Sequence, residues 1–251
     1  MTVAPAARRA TDAVPALAVL AAGLAAWEAV VVLTGVPALV LPSPVTVAAT
    51  GVAEAPTLSG AAATTALTAA AGLALGVVVG TLLAFAMTVS RTAAAVVHPY
   101  VIALRVAPLV AIGPLVFLWL GDGVPARAML VATLTVFPVT IASLDGLRST
   151  PRGYLDLMRS VAAPRRATFL RVRVPAAAPS VFAGVKLAAA LSVVGAIVAE
   201  FLTLRSGIGY RLFASSRALD TATTFAALAV VAGLGLVFYL VPAACEARIR
   251  W

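Results

Sequence analysis

The chain has 251 residues, of which 63% are hydrophobic and only 11% are charged. Soluble globular domains average about 25% charged residues, so this composition excludes a soluble domain and places the chain in a lipid bilayer. The net charge of +9 could suggest a nucleic-acid partner. However, most basic residues lie in alternate loops between apolar runs, which is the pattern of a membrane topology signal.

Six apolar runs are long enough to cross a bilayer, which takes about 20 helical residues. They cover residues 14–33, 64–89, 101–120, 128–144, 176–202 and 221–243. An even number of spans, with the excess of arginine in alternate loops, predicts that both termini are cytoplasmic. We therefore expect a single all-α membrane domain over residues 1–251, with about six transmembrane helices after an N-terminal tail at 1–12.

The first run follows Arg8 and Arg9 and contains Trp27 and Glu28. It lacks a clear cleavage site, so we interpret it as a retained span and not as a signal peptide. The proline-rich link at 36–44 cannot be regular helix. A short interfacial helix is expected to follow it, at about residues 46–55.

The second run places Gly72, Gly76 and Gly80 four residues apart on one helical face. Small residues at this spacing let two helix backbones approach closely in lipid. The second span is therefore predicted to be buried in a helix bundle.

The third run contains Arg105, Pro108, Gly113 and Pro114. Two prolines and a glycine predict a kinked or locally unwound helix, which is tolerated at membrane depth where protein or water satisfies the freed carbonyls. Breaks of this kind often line the substrate path of transporters, and a packing kink is the alternative.

Residues 145–175, between the fourth and fifth runs, carry seven arginines. Arginine is costly in hydrocarbon, and loops rich in arginine stay on the cytoplasmic side of a membrane. We therefore expect this loop to face the cytoplasm.

Within that loop, apolar residues recur at helical spacing from Leu155 through Met158 to Val161 and Ala162, and Pro164 is expected to stop the helix. A short helix with one apolar and one charged face can fit into a groove of a partner protein. A helix that lies on anionic lipid headgroups is the alternative.

Glu200 lies near the end of the fifth run, and an ionisable residue at membrane depth is a functional candidate. It could line a translocation path, or it could pair with Arg205 or Arg211. The following segment, 206–220, is expected to form a short helix on the membrane surface.

Residues for catalysis are scarce. The single histidine, His98, and the single cysteine, Cys245, cannot form a metal site together with other ligands nearby in the sequence, and we expect no metal. No phosphate-binding Gly-x-x-x-x-Gly-Lys-Ser/Thr motif occurs, so the chain is not expected to hydrolyse ATP by itself. An enzyme is therefore not expected.

The arginine-rich loop resembles the EAA signature of binding-protein-dependent ABC importer permeases, in which Glu-Ala-Ala and a glycine precede Ile-x-Leu-Pro. Asp156-Leu-Met158 occupies the Glu-Ala-Ala position, Ala162 replaces the glycine, and the end of the signature is matched by Val172, Val174 and Pro175. An alanine at a tight turn requires a negative φ. We therefore expect the bend after the helix to be made at Ala163-Pro164.

Further motifs, spread over residues 38–245, resemble the nitrate, sulfonate and taurine branch of these permeases. They are Leu41-Pro-Ser-Pro44, the run from Leu104 to Gly121, Phe137-Pro138, Gly146-x-Arg148, Val198-Ala-Glu200 and Ser206-Gly-Ile-Gly-Tyr210. The resemblance implies the type I ABC importer permease fold, with about six transmembrane helices and a cytoplasmic coupling helix in the loop 145–175.

The resemblance also implies partners and roles. The chain would form the translocation path with a second permease copy in a bacterial cytoplasmic (inner) membrane, and would meet two ATP-binding subunits and an extracytoplasmic solute-binding protein. It would bind no cofactor, since ATP and Mg would be used by the ATPase. The ATPase-coupling residues would be Tyr154, Leu155, Asp156, Met158, Arg159, Val161, Ala162, Ala163 and Pro164.

Translocation-path residues would be Arg105, Pro108 and Glu200. A positive charge at a broken helix favours an anionic solute, and the branch includes importers of sulfonates, taurine, nitrate and pyrimidine precursors of thiamine. The alternatives are an ATP-independent channel or carrier, and an intramembrane enzyme.

Overall fold

A computed structural model describes residues 5–249, with side chains from residue 14 to residue 248 except Ala16. These residues form eleven α-helices and one π-helical turn. The helices are α1 (Pro5–Thr34), α2 (Pro44–Ala53), α3 (Ala55–Val89), α4 (Arg91–Val106), α5 (Leu109–Leu120), α6 (Val124–Arg148), α7 (Arg152–Ser160), α8 (Arg165–Thr168), α9 (Val174–Thr203), α10 (Ile208–Arg217) and α11 (Thr221–Ile249). The π-turn, Phe169–Arg173, joins α8 to α9.

Five of the helical segments are long and apolar enough to cross a membrane, and the bent pair α4 and α5 gives a sixth. The predicted all-α fold with about six spans is confirmed. Several boundaries differ from the prediction: α4 begins at Arg91, ten residues before the expected start of the third span, and α6 extends beyond 128–144 at both ends. α1 begins at Pro5, inside the expected tail, and α3 begins at Ala55, well before the predicted start of the second span.

The bundle is built around α3, α6 and α9, whose buried side chains pack against one another. The small residues of α3 make this contact possible. An added Cβ at Gly72 would overlap Val131, and one at Gly76 would overlap Thr135, both on α6. The predicted burial of the second span is confirmed for this glycine face, where the α6 backbone comes close, whereas Leu67, Val78 and Leu82 on α3 remain exposed.

The predicted break in the third span is confirmed. α4 and α5 meet at an angle of 103°. Ala107 is extended, with φ −60° and ψ 124°, because the ring of Pro108 excludes helical geometry for the residue before it. Pro114 lies inside α5 and does not interrupt it.

The short helix expected after the proline-rich link is α2, and the helix expected at 206–220 is α10. The sequence does not indicate that one side of α10 packs into the bundle. Ile208, Gly209, Leu212 and Ser215 are buried, and Ile208 and Leu212 belong to an apolar core with residues of α3 and α11. Burial of these apolar side chains holds α10 in the bundle.

Candidate functional site

The first candidate site is the α7 loop, which we define as residues 149–173, between α6 and α9. Its base is held to the bundle, because the Arg148 guanidinium donates a 3.1 Å hydrogen bond to the carbonyl of Met87 at the end of α3. Thr150 is buried beside it. The loop therefore projects from a fixed point on α3 and α6.

Helix α7 has two different apolar sides. Tyr154, Leu157 and Val161 are 58%, 60% and 65% exposed, and their spacing puts them on one face. Leu155 and Met158 are half-buried and line a cavity beneath the helix. The exposed apolar face therefore includes Leu157, which the predicted coupling set omits, although its spacing from Tyr154 and Val161 could have identified it.

Two of the three charged residues of α7, Asp156 and Arg159, are paired with each other. Arg159 Nη1 lies 2.9 Å from Asp156 Oδ1, and both side chains are well exposed. An exposed pair at this spacing stabilises a helix by less than about 1 kcal/mol. The pair therefore contributes little to stability. Its main consequence is that one negative and one positive group lie side by side next to the exposed apolar face.

The expectation that Ala162 has a negative φ, with the bend at Ala163-Pro164, is wrong. Ala162 has a φ of +49°. Its N–H donates to the carbonyl of Arg159 at 2.9 Å, and the N–H of Ala163 donates to the carbonyl of Met158 at 2.9 Å. These two bonds define a Schellman motif, which places the residue after the C-cap in the left-handed region. Two hydrogen bonds thus hold an alanine in a conformation that glycine adopts more easily.

Arg105 and Pro108 flank the break between α4 and α5, and both are exposed. The Arg105 guanidinium lies 5.1 Å from the centre of the Phe137 ring, a cation–π distance. The structure thus places the predicted path residues Arg105 and Pro108 together, at an accessible position where the helix is interrupted.

Glu200 lies elsewhere and is fully buried. Its Oε2 accepts hydrogen bonds from the Gly209 N–H at 2.8 Å and from the Thr65 hydroxyl at 3.0 Å. The Thr65 oxygen in turn accepts the Ile208 N–H at 2.9 Å. These contacts join α3, α9 and the start of α10.

Neither of the arginines proposed as partners of Glu200 pairs with it. Arg205 forms its ion pair with Asp122, on the segment between α5 and α6. Arg127, which the sequence assigns to a loop, is buried in the first turn of α6 and interacts electrostatically with Glu200. This environment favours the structural-pairing alternative for Glu200, with one partner nearby in the sequence, Gly209, and two distant ones, Thr65 and Arg127.

We name this group, formed by Thr65, Arg127, Glu200 and residues 206–209, the Glu200 cluster. Gly207 has a φ of +95°, and an added Cβ there would overlap the Glu200 carboxyl group. Ser206 accepts a 3.0 Å hydrogen bond from Arg127. The glycines and serine of the Ser206-Gly-Ile-Gly-Tyr210 motif are therefore the residues that let the chain close around a buried carboxylate.

Comparisons with known proteins agree with this architecture. Residues 72–251 match the family described as binding-protein-dependent transport system inner membrane component. The riboflavin transport system permease protein RibX of Chloroflexus aurantiacus is 31% identical over 233 residues, which cover 90% of this chain and 85% of RibX.

SsuC of Escherichia coli, a permease protein named for aliphatic sulfonates transport, is 37% identical over 132 residues, which cover 53% of this chain and 50% of SsuC. A solved amino acid ABC transporter structure, described as containing histidines, superposes with a TM-score of 0.56 at 16% identity, covering 78% of this chain and 96% of that one. This last likeness concerns the fold alone. The chain belongs to the binding-protein-dependent transport system inner membrane component family, and it is a multi-pass membrane permease subunit of an ABC importer, a transport component and not an enzyme.

Proposed function

We propose that α7 is the coupling helix, through which a cytoplasmic ATP-binding subunit drives transport. The observation that carries this proposal is the exposed apolar face of Tyr154, Leu157 and Val161 on a helix whose base is fixed to the bundle. Exposed aromatic and aliphatic anchors beside charged groups are typical of a protein interface. The proposed contact set also contains Leu155, Asp156, Met158, Arg159 and Ala162 to Pro164.

In this assembly the chain binds no nucleotide, and ATP and Mg are used by two copies of the ATP-binding subunit. The fixed base of the loop transmits their movement to α3 and α6, because Arg148 and Thr150 are not free to move alone. The family assignment supports a solute-binding protein on the opposite side of the membrane.

A charge reversal at the coupling helix tests this proposal. Asp156→Arg places a positive group where the ATPase would meet a negative one, so we expect it to lower co-purification of an ATP-hydrolysing subunit about tenfold or more, as for a truncated charge at an interface. The matched control is Asp145→Arg, with the same charge change at an exposed position on α6.

Both variants should reach the membrane in equal amounts. A photocrosslinker at position 157 should attach to the ATP-hydrolysing subunit in the unsubstituted protein. If Asp156→Arg retains that subunit as well as Asp145→Arg does, α7 is not the coupling helix.

We further propose that two identical copies enclose the path at the broken span. Val106 and Leu118, on either side of the break, are 76% and 77% exposed in the single chain. The exposed charge of Arg105 beside Val106 would be costly in hydrocarbon, and a second copy over this face would keep it out of the lipid. Val106→Cys in a Cys245→Ala background should form a disulfide between copies. Absence of crosslinked dimer would contradict this arrangement.

We propose a small anionic solute for this path, in the class of sulfonates, taurine, nitrate or thiamine pyrimidine precursors. The exposed guanidinium of Arg105 beside the break supports it. Uptake of a labelled alkanesulfonate should fall on Arg105→Gln and persist on Arg91→Gln. Equal uptake by both variants, or import of an uncharged solute alone, would contradict an anionic solute.

The inner-membrane location and the cytoplasmic termini are part of the same proposal. The arginine-rich α7 loop supports them, because such loops stay on the cytoplasmic side. A C-terminal reporter that is active only in the cytoplasm should be active when fused after residue 251.

A further inference from the structure

A basic cavity of about 820 Å³ lies beneath α7, on the side opposite the exposed face of Tyr154, Leu157 and Val161. Four arginines line it, from α7, α8 and the π-turn: Arg159, Arg165, Arg166 and Arg173. Its floor is apolar and includes Phe85, Val89 and Leu170. The volume is within the range of about 300–1,000 Å³ that is usual for small-molecule sites.

Three of these arginines have no internal partner. Arg159 is paired with Asp156, but within residues 14–248 no carboxylate forms an ion pair with Arg165, Arg166 or Arg173. None of the residues that line the cavity is acidic. The cavity therefore presents uncompensated positive charge to whatever enters it, and guanidinium groups favour phosphate oxygens as ligands.

The basic cavity continues into an apolar groove of about 410 Å³. Phe85 and Phe169 line both, and their rings meet edge to face at 4.9 Å. The groove follows α3 past Leu82 to Val78 and is closed on the other side by Val181 of α9. From Val89 to Val78 the helix rises about 16 Å, which is close to half of the roughly 30 Å hydrocarbon core of a bilayer.

A ligand that fits this shape has an anionic head and a long apolar tail. We propose that the basic cavity and the apolar groove together bind one anionic phospholipid, with its phosphate among Arg165, Arg166 and Arg173 and an acyl chain along Leu82 and Val78. A free phosphate would leave the groove empty. Basic pockets beside transmembrane helices are known to hold lipid headgroups of this charge.

The cavity lining and the proposed coupling set share Leu155, Met158, Arg159 and Ala163. The exposed face of Tyr154, Leu157 and Val161 is on the opposite side of α7 and stays available to the ATPase when the cavity is filled. Bound lipid fills the space between α7 and α3, so that Leu155 and Met158 pack against an occupied cavity. The bound lipid would thereby support the inner side of α7 while the exposed face of α7 contacts the ATP-binding subunit.

The test uses the purified full chain in phosphatidylcholine nanodiscs with phosphatidylglycerol that carries a photoreactive group in one acyl chain. We expect crosslinks, mapped by peptide mass spectrometry, on residues 78–89 and 174–181. Unlabelled phosphatidylglycerol should compete, whereas inorganic phosphate and extra phosphatidylcholine should not.

Two variants that remove the same amount of positive charge distinguish lipid binding in the cavity from general attraction of the lipid to the loop. Arg166→Gln/Arg173→Gln removes two cavity arginines and should lower labelling about thirtyfold, since each arginine near an anionic headgroup contributes on the order of 1 kcal/mol and every 1.4 kcal/mol is tenfold. Arg152→Gln/Arg171→Gln removes two arginines outside the cavity lining and should keep the labelling of the unsubstituted chain.

A second pair tests the groove without changing any charge. Leu82→Trp fills the groove and should remove the crosslinks on α3, whereas Leu75→Trp, on the same helix outside the groove lining, should not. The proposal is overturned if a phosphatidylcholine probe labels equally, if inorganic phosphate competes, or if the two arginine variants lose labelling to the same extent. It is also overturned if Leu82→Trp retains the α3 crosslinks.

Discussion

The Glu200 cluster and the α7 loop are both rich in polar residues, but they are built in opposite ways. In the Glu200 cluster one carboxylate is fully buried and is bound by groups from α3 and α10. In the α7 loop the charged and apolar side chains are mostly exposed, and only the base is fixed. The polar groups of the Glu200 cluster are thus bound within the chain, whereas the side chains of the α7 loop remain available to a partner.

Substitution at Glu200 is the strongest test of this contrast. Glu200→Ala leaves the buried Gly209 N–H without its acceptor and leaves the Thr65 hydroxyl only the carbonyl of Ala61, so we expect it to lower the free energy of unfolding by about 3 kcal/mol. Glu200→Gln keeps one acceptor oxygen and should cost less. Denaturation of the purified chain in detergent micelles measures both. Equal losses for the two variants would contradict the role of the carboxylate as an acceptor.

Two glycine substitutions compare the regions directly. Gly207→Ala forces an alanine to a φ of +95° and into overlap with the Glu200 carboxyl group, so we expect a loss of about 2 kcal/mol. Gly153→Ala, in α7, meets no atom within 4 Å and should be neutral or stabilising by about 0.5 kcal/mol. Gly121→Ala, with φ +72° and ψ −171° in open space, measures the strain of a closely similar backbone conformation alone. If Gly207→Ala costs no more than Gly121→Ala, the close fit around Glu200 is not important for stability.

A smaller effect is expected at the end of α7. Ala162→Gly removes the strain of a left-handed alanine and should stabilise the α7 terminus by about 1 kcal/mol. Hydrogen exchange at residues 152–163 should slow in this variant. Ala163→Gly, at the next position, should bring no such protection, and equal slowing in both would contradict the assigned geometry.

The smallest effect on stability is expected at Leu157. Because this side chain is largely exposed, Leu157→Ser should change the free energy of unfolding by no more than about 0.5 kcal/mol. The same variant should weaken capture of the ATP-hydrolysing subunit. Leu204→Ser, at an exposed leucine near the other end of the bundle, is the control and should leave that capture unchanged.

The features that were predicted correctly depend on local rules. The break at Pro108 follows from the proline ring and its effect on Ala107, and the close contact of α3 follows from the spacing of Gly72, Gly76 and Gly80. The sequence does not name α6 as the partner of those glycines, because helix pairing is set by the packing of the whole bundle.

The features that were missed depend on distant or cooperative contacts. Arg205 and Arg211 are near Glu200 in sequence, yet its hydroxyl partner is Thr65, 135 residues away. Ala162 was expected to avoid a positive φ, but two backbone hydrogen bonds of the helix end outweigh its intrinsic preference. α10 looks amphipathic enough for a surface helix, and only the presence of α3 and α11 beside it explains its burial.

Helix α3 runs without a break from Ala55 to Val89. Met87, near one end, receives the hydrogen bond that fixes the α7 loop, and Thr65, 22 residues earlier, binds Glu200. The two contacts are therefore about 33 Å apart on one continuous rod. If α7 is the coupling helix, as proposed, a displacement at the arginine-rich end of α3 would travel along a helix without a hinge toward the buried carboxylate of Glu200.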